Sequence, residues 1–148
     1  MTQQATTETD LVAQAKETFH AAQAGDIAPA LATWHPDILW HNDEAAGPWA
    51  GEFRGHDAVV TMFVEFTTLF GGTFRQELID VAASDDHVVM LLRELGEIGP
   101  HRFDNRAVYV SKVVDGVTVE LFTLDRDRGA ARSFWEAVGP VAGPSRRA

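Results

Sequence analysis

The chain contains no cysteine, and that absence removes two architectures at once: a disulfide-stapled scaffold and a thiolate zinc site. Basic residues are scarce as well. Twelve Lys and Arg stand against 22 Asp and Glu, leaving a formal net charge of −10, a field that repels phosphate backbones and anionic lipid surfaces. Nucleic acid is not an expected partner. Long apolar runs are also missing: no stretch approaches the length that spans a bilayer, and the opening MTQQATTETD lacks the basic and apolar regions of a leader. The expectation is a cytoplasmic protein with no membrane partner. The 148 residues are enough to bury one core without covalent staples. No repeat or linker divides them, so residues 1–138 are expected to form one domain and residues 139–148, interrupted by Gly and Pro, a flexible tail.

The first half of the chain has helical spacing. Leu11, Ala15, Phe19 and Ala22 recur on one face of a helix over 11–24, with Thr9 or Asp10 as N-cap and Gly25 as the stop. Asp26 is placed to cap a shorter helix through Leu31 to Trp34, which the His35-Pro36 step ends because the residue before proline avoids the α region. A strand is expected over Ile38–Asn42, then a loop or irregular hairpin over Glu44–Arg54, where Gly47, Pro48 and Gly51 fall. A third helix over Asp57–Phe70 aligns Val59, Phe63, Phe66 and Phe70, and Gly71-Gly72 ends it.

After Thr73 the period becomes alternating. Phe74–Ala83, His87–Ile98, Arg102–Val114 and Val117–Leu124 read as four strands of a meander, and Asp115-Gly116 is the strongest hairpin signal, since a type I′ turn needs positive φ at both central residues. A last short helix is expected over Arg128–Val138. Helices followed by strands are α+β order.

Three stretches in this order, AGDIAPALATWHPDILWH, GPWAGEFRGHDAV and FDNRAVYVSKVVDGVTVELF, resemble the SnoaL-like and ketosteroid-isomerase-like branch of the nuclear transport factor two superfamily. The resemblance covers Leu11 to Trp135. It implies a cone, a curved antiparallel sheet wrapped around helices with an apolar pocket between them (a cystatin-like α+β barrel). Its members include isomerases, cyclases, dehydratases, hydrolases and proteins that only bind, so the fold does not choose the function. Laid on the isomerase pattern, this chain has Asn42 in place of the aspartate base and Thr18 in place of the helix-one tyrosine. An amide offers hydrogen bonds but no proton-accepting site. The same carry-over puts Tyr109 near the isomerase's protonated aspartate, where a phenol can still donate to an oxyanion. The Asp-Arg-Asp relay of limonene-epoxide hydrolases is not reproduced by Asn105, Arg106 and Thr123.

The family pattern favours the Trp40 and Asn42 face of the first strand as inward, leaving His41 on the other. Lys112 marks its own face of the third meander strand, with Arg106, Val108 and Val110, as outward, so Asn105, Ala107, Tyr109 and Ser111 face the pocket. Leu121, Thr123 and Asp125 follow inward by the same carry-over. The expected ligand-binding set is Phe19, Trp34, Trp40, Asn42, Phe63, Asn105, Leu121 and Thr123; the candidate catalytic set is Asp125, His41 and Tyr109. Against these stand plainer roles: core packing for the aromatics, a helix cap for Asp125, and surface positions for His20, His56 and His87. His35, Asp37 and His41 do not converge as metal ligands across a Pro36 turn, so neither metal nor cofactor is expected. Arg54-Gly55-His56-Asp57 is a weak anion site at a helix start.

Two functions remain open on these residues. One is a cofactor-independent acid/base enzyme acting on a hydrophobic carbonyl, polyketide-like or epoxide compound; the other is a non-catalytic binding or scaffold module. Outward valines on the meander need cover, and in this superfamily the usual cover is the sheet of a second subunit, so a homodimer is expected.

Overall fold

The computed structural model describes residues 7–141 and 143–145. Its frame is one six-stranded sheet in the order β2-β1-β6-β5-β4-β3, built from β1 (Trp34–Asn42), β2 (Gly51–Arg54), β3 (Arg75–Ala83), β4 (His87–Ile98), β5 (His101–Val114) and β6 (Val117–Asp125). Strands β3 to β6 form the expected meander. The Asp115-Gly116 turn has φ of 51° and 77°, the doubly positive pair that a tight hairpin matched to strand twist requires. The sheet is not wholly antiparallel: β1 runs parallel to β6, with Trp40 beside Leu121, and antiparallel to β2.

Helix α1 (Glu8–Gln23) starts earlier than expected. Its N-cap is Thr7 rather than Thr9 or Asp10, because Asp10 lies at the third helical position and closes a reciprocal capping box with Thr7. Helix α2 (Ala28–Thr33) is short, and the Asp26 side chain accepts from the Ala28 N–H before its first turn. Strand β1 then begins at Trp34, ahead of the expected Ile38. Its register against β6 shifts between Trp34 and Leu39, so Pro36, which lacks a donor, falls in an irregular stretch of the ladder. Residues Glu44–Trp49 form a 3₁₀ segment kinked at Gly47, and β2 returns from it along β1. Helix α3 (His56–Leu69) follows. His56 is half-buried instead of superficial: its Nε2 lies 3.1 Å from the Trp34 carbonyl and its ring meets Trp34 edge-on.

Helix α4 (Arg128–Val138) packs against the 3₁₀ segment and β5. Its Trp135 joins Phe66, Phe70 and Phe103 in an aromatic cluster continuous with Ile38, Trp40, Trp49 and Leu92. A fully buried aromatic or branched side chain of this kind stabilises by roughly 1.5–3 kcal/mol. This end of the fold is therefore filled, while the end under α1 and α2 is hollow. Beyond α4, Val141 packs on the core and Ser145 donates to Glu65 from both its backbone and its hydroxyl.

Candidate functional site

Helices α1, α2 and α3 stand off the concave side of the sheet and enclose a cavity of about 550 Å³. Alternation decides which side chains reach it. Trp40, Tyr109, Ser111 and Leu121 point in from β1, β5 and β6, and Phe19, Trp34 and Phe63 close it from the helices and the start of β1. Behind it lies a recess of about 50 Å³ lined by Asn42, Glu94, Asn105, Thr123 and Asp125. Phe63 and Tyr109 border both spaces. Trp40 meets Phe63 at 5.1 Å and Tyr109 at 5.7 Å, both edge to face, so these three rings form the partition.

The expected residues thus divide by compartment. Phe19, Trp34, Trp40 and Leu121 wall the large cavity; Asn42, Asn105, Thr123 and Asp125 lie in the recess; Phe63 and Tyr109 belong to both. His41 is not brought to either. On a strand, its neighbours Trp40 and Asn42 face inward and His41 faces away: it stacks on Phe122 at 4.4 Å and lies between Glu120 at 3.0 Å and Glu52 at 3.2 Å. Asp125 does not cap α4. That role falls to Asp127, whose side chain accepts from Ala130 N.

A buried polar chain runs through the partition. Gln76 Nε2, on the cavity wall, donates to Tyr109 Oη at 3.1 Å and to Glu94 Oε2 at 2.8 Å. The Tyr109 hydroxyl donates to the same Glu94 oxygen at 3.2 Å. Asn105 Nδ2 then bridges two carboxyl groups, donating to Glu94 Oε1 at 3.1 Å and to Asp125 Oδ1 at 2.7 Å. Burial pushes the Glu94 carboxyl up from its ordinary value, and the nearby Asp125 charge adds to this against the donors around it. Asp125 is raised too, first by burial and then by Asp43. Tyr109 is raised well above an ordinary phenol by burial and by Glu94, so it stays a neutral hydrogen-bonding group.

Asn42 has a structural task here. Its Oδ1 accepts from Trp40 Nε1 at 2.9 Å and Thr123 Oγ1 at 3.3 Å, and its Nδ2 donates to the Trp49 carbonyl at 2.9 Å. It ties the partition tryptophan to the 3₁₀ segment. Asp43 anchors the far end of the chain, accepting from Asp125 N and from Arg128 Nε.

Glu94 and Gln76 were not among the expected site residues. Glu94 shares strand parity with Val88, Met90 and Leu92, so an acidic residue on an apolar face was the available signal. Gln76 has no comparable mark.

A six-stranded curved, unclosed sheet cradling helices over a cavity defines the cystatin-like, nuclear-transport-factor-two-like α+β class. Within it, the family model described as "SnoaL-like domain" matches residues 15–121, and the chain belongs to that family. The structure is similar to that of Bal32a from a soil-derived mobile gene cassette, at 25% identity and a TM-score of 0.75 over 83% of this chain and 94% of that one. It is also similar to a cystatin-like protein of unknown function from Xanthomonas campestris, at 28% identity and a TM-score of 0.70 over 84% and 96%. A protein from Jannaschia sp. CCS1 described as a "Putative SnoaL-like polyketide cyclase" shares the fold at 14% identity and a TM-score of 0.66 over 95% and 100%. No curated protein sequence matches this one. Among the described residues no helix is long and apolar enough to cross a membrane.

Proposed function

We propose that the protein is a cofactor-independent acid/base enzyme that takes a hydrophobic carbonyl, polyketide-like or epoxide compound into the large cavity, as a cytoplasmic homodimer. The observation that carries this reading is the Tyr109 phenol on the cavity wall, hydrogen-bonded at 3.2 Å to a buried carboxyl, Glu94. When Glu94 holds its proton, it donates to Tyr109 Oη, and the phenolic hydrogen is released to turn toward a ligand oxygen. Transfer of that hydrogen to the ligand, with the Glu94 proton passing to Tyr109, leaves a carboxylate that Gln76, Tyr109 and Asn105 already stabilise. The reverse transfer restores the resting state. Such a relay serves isomerisation, cyclisation, dehydration or epoxide opening. Asp125 acts through Asn105, its charge holding the Glu94 proton more firmly.

A second reading, a ligand carrier, draws support from the cavity lining, in which, among the described residues, Tyr109 is the only ionisable side chain. Turnover of hydrophobic ketones, polyketide-like compounds and epoxides, followed by mass spectrometry, separates the two. The enzyme reading expects Tyr109→Phe and Glu94→Gln each to lower kcat/KM by about 10²-fold or more, and Asp125→Asn to change the pH profile with a smaller loss. Binding without turnover by the wild type assigns the carrier role, and absence of binding removes both.

A further inference from the structure

Ser111 lies on β5 two residues beyond Tyr109, on the same face, and is 7% exposed. Its side chain lines the large cavity, yet among the described residues its hydroxyl has no hydrogen-bond partner. The Ser111 oxygen is not shut off from the cavity space, so its hydrogen-bonding capacity is available to a ligand. The helical hydroxyls on the wall are occupied: Thr18 donates to the Ala15 carbonyl, Thr33 to the Ala30 carbonyl and Thr67 to the Phe63 carbonyl, each within its own helix. Thr118 on β6 also has no side-chain partner among the described residues, but it is less buried than Ser111 and lies on a different strand from Tyr109. Two residues along a strand span roughly 6.5 Å, so Tyr109 and Ser111 present two fixed polar points to one ligand edge. Among the described residues no Lys, Arg, His, Asp or Glu lines the cavity. A charged ligand would therefore lose its hydration with no countercharge on the wall.

We infer that the cavity selects a neutral, rigid hydrophobic molecule with two oxygen functions on one edge, one seated at Tyr109 and the other at Ser111. This rests on the reading of the cavity as a ligand site and names the class of ligand it takes. The Ser111 oxygen both donates and accepts, so a hydroxyl or a carbonyl fits the second position.

Three probes test it in titrations followed by tryptophan fluorescence, since Trp34 and Trp40 line the cavity: 9-fluorenone, 2-hydroxy-9-fluorenone and 9-fluorenone-2-carboxylate. The hydroxyketone is expected to bind wild type about three- to ten-fold more tightly than the ketone, the worth of one added hydrogen bond, and the carboxylate at least about ten-fold more weakly than the hydroxyketone. Ser111→Ala is expected to bring the hydroxyketone down to the ketone's affinity while leaving the melting temperature undiminished, because it removes a hydroxyl without a partner. Equal affinities of ketone and hydroxyketone in wild type, an advantage that survives in Ser111→Ala, or tight binding of the carboxylate overturns the inference. Failure of all three to bind overturns it as well. Selective binding without turnover upholds the ligand class and removes only the enzyme reading.

Discussion

In the proposed relay a single carboxyl, Glu94, supplies the proton behind Tyr109, and its protonation is expected to leave a mark on stability that is measurable without a substrate. The unfolded chain releases this proton near the ordinary value of 4.5, whereas burial holds it on the folded protein to a higher pH. Between those two points the native state binds more protons, so stability falls as pH rises from about 4.5 through the native value and then levels off. Asp125, also raised, contributes with the same sign. Urea denaturation of wild type and Glu94→Gln from about pH 4.5 to pH 8 is expected to show a steeper decline in the wild type, the difference being the proton that glutamine cannot hold. Parallel curves would mean that Glu94 titrates alike in both states and is not held neutral. This residue was legible in the sequence only as an anomaly of parity, an acid among Val88, Met90 and Leu92. Tyr109 and Asn105 were set on the inward face by strand alternation and one marker lysine, and Asp125 by what the family resemblance implies for the last strand. His41 illustrates the limit: its identity made it a base candidate, but one strand position turned it toward Glu52, Glu120 and Phe122.

At the scale of elements, periodicity found the four helices and the meander, because an amphipathic helix and a half-buried strand each repeat their apolar positions. What it missed was set by contacts distant in sequence or by unpaired backbone. The start of β1 at Trp34 depends on pairing with Thr118, far along the chain, and the start of α1 depends on the side-chain exchange between Thr7 and Asp10. The segment 44–49 was read as irregular from its Gly-Pro pair, but its 3₁₀ form is fixed by α4. Gly47 has φ 62°, and a Cβ there would meet Trp135 Cβ and Cγ at 2.8 Å. Gly47→Ala therefore combines a left-handed backbone with overpacking against a buried ring, at a cost of about 2 kcal/mol or more. For a chain of this size a fall in melting temperature of at least about 4 °C is expected. Gly25→Ala is the control, since it shares a positive φ of 90° but has nothing within 4 Å of the added carbon. An equal loss in both would place the cost in the backbone and not in the contact between the 3₁₀ segment and α4.

The whole molecule presents two faces of opposite use. The concave side of the sheet is taken up by helices and cavity, whereas the convex side carries apolar rows that cross three strands. Register aligns Leu91, Val108 and Leu124 in one row and Val89, Val110 and Phe122 in the next. Leu91, Phe122 and Leu124 are exposed at 39%, 39% and 46%, and the two central valines are half-buried. A contiguous apolar patch of this kind on a sheet is a surface that association covers. A two-fold axis near Val108 and Val110 would set each row against its own copy, the self-complementary geometry of an isologous dimer. Light scattering at micromolar concentration is expected to give twice the chain mass for wild type. Leu124→Lys costs the monomer little, because this side chain already faces solvent, but it places an unpaired ammonium in the interface and is expected to weaken dimerisation at least about ten-fold. A monomeric wild type removes the dimer. A dimer indifferent to Leu124→Lys moves the interface to another surface and leaves the convex rows uncovered in the assembly.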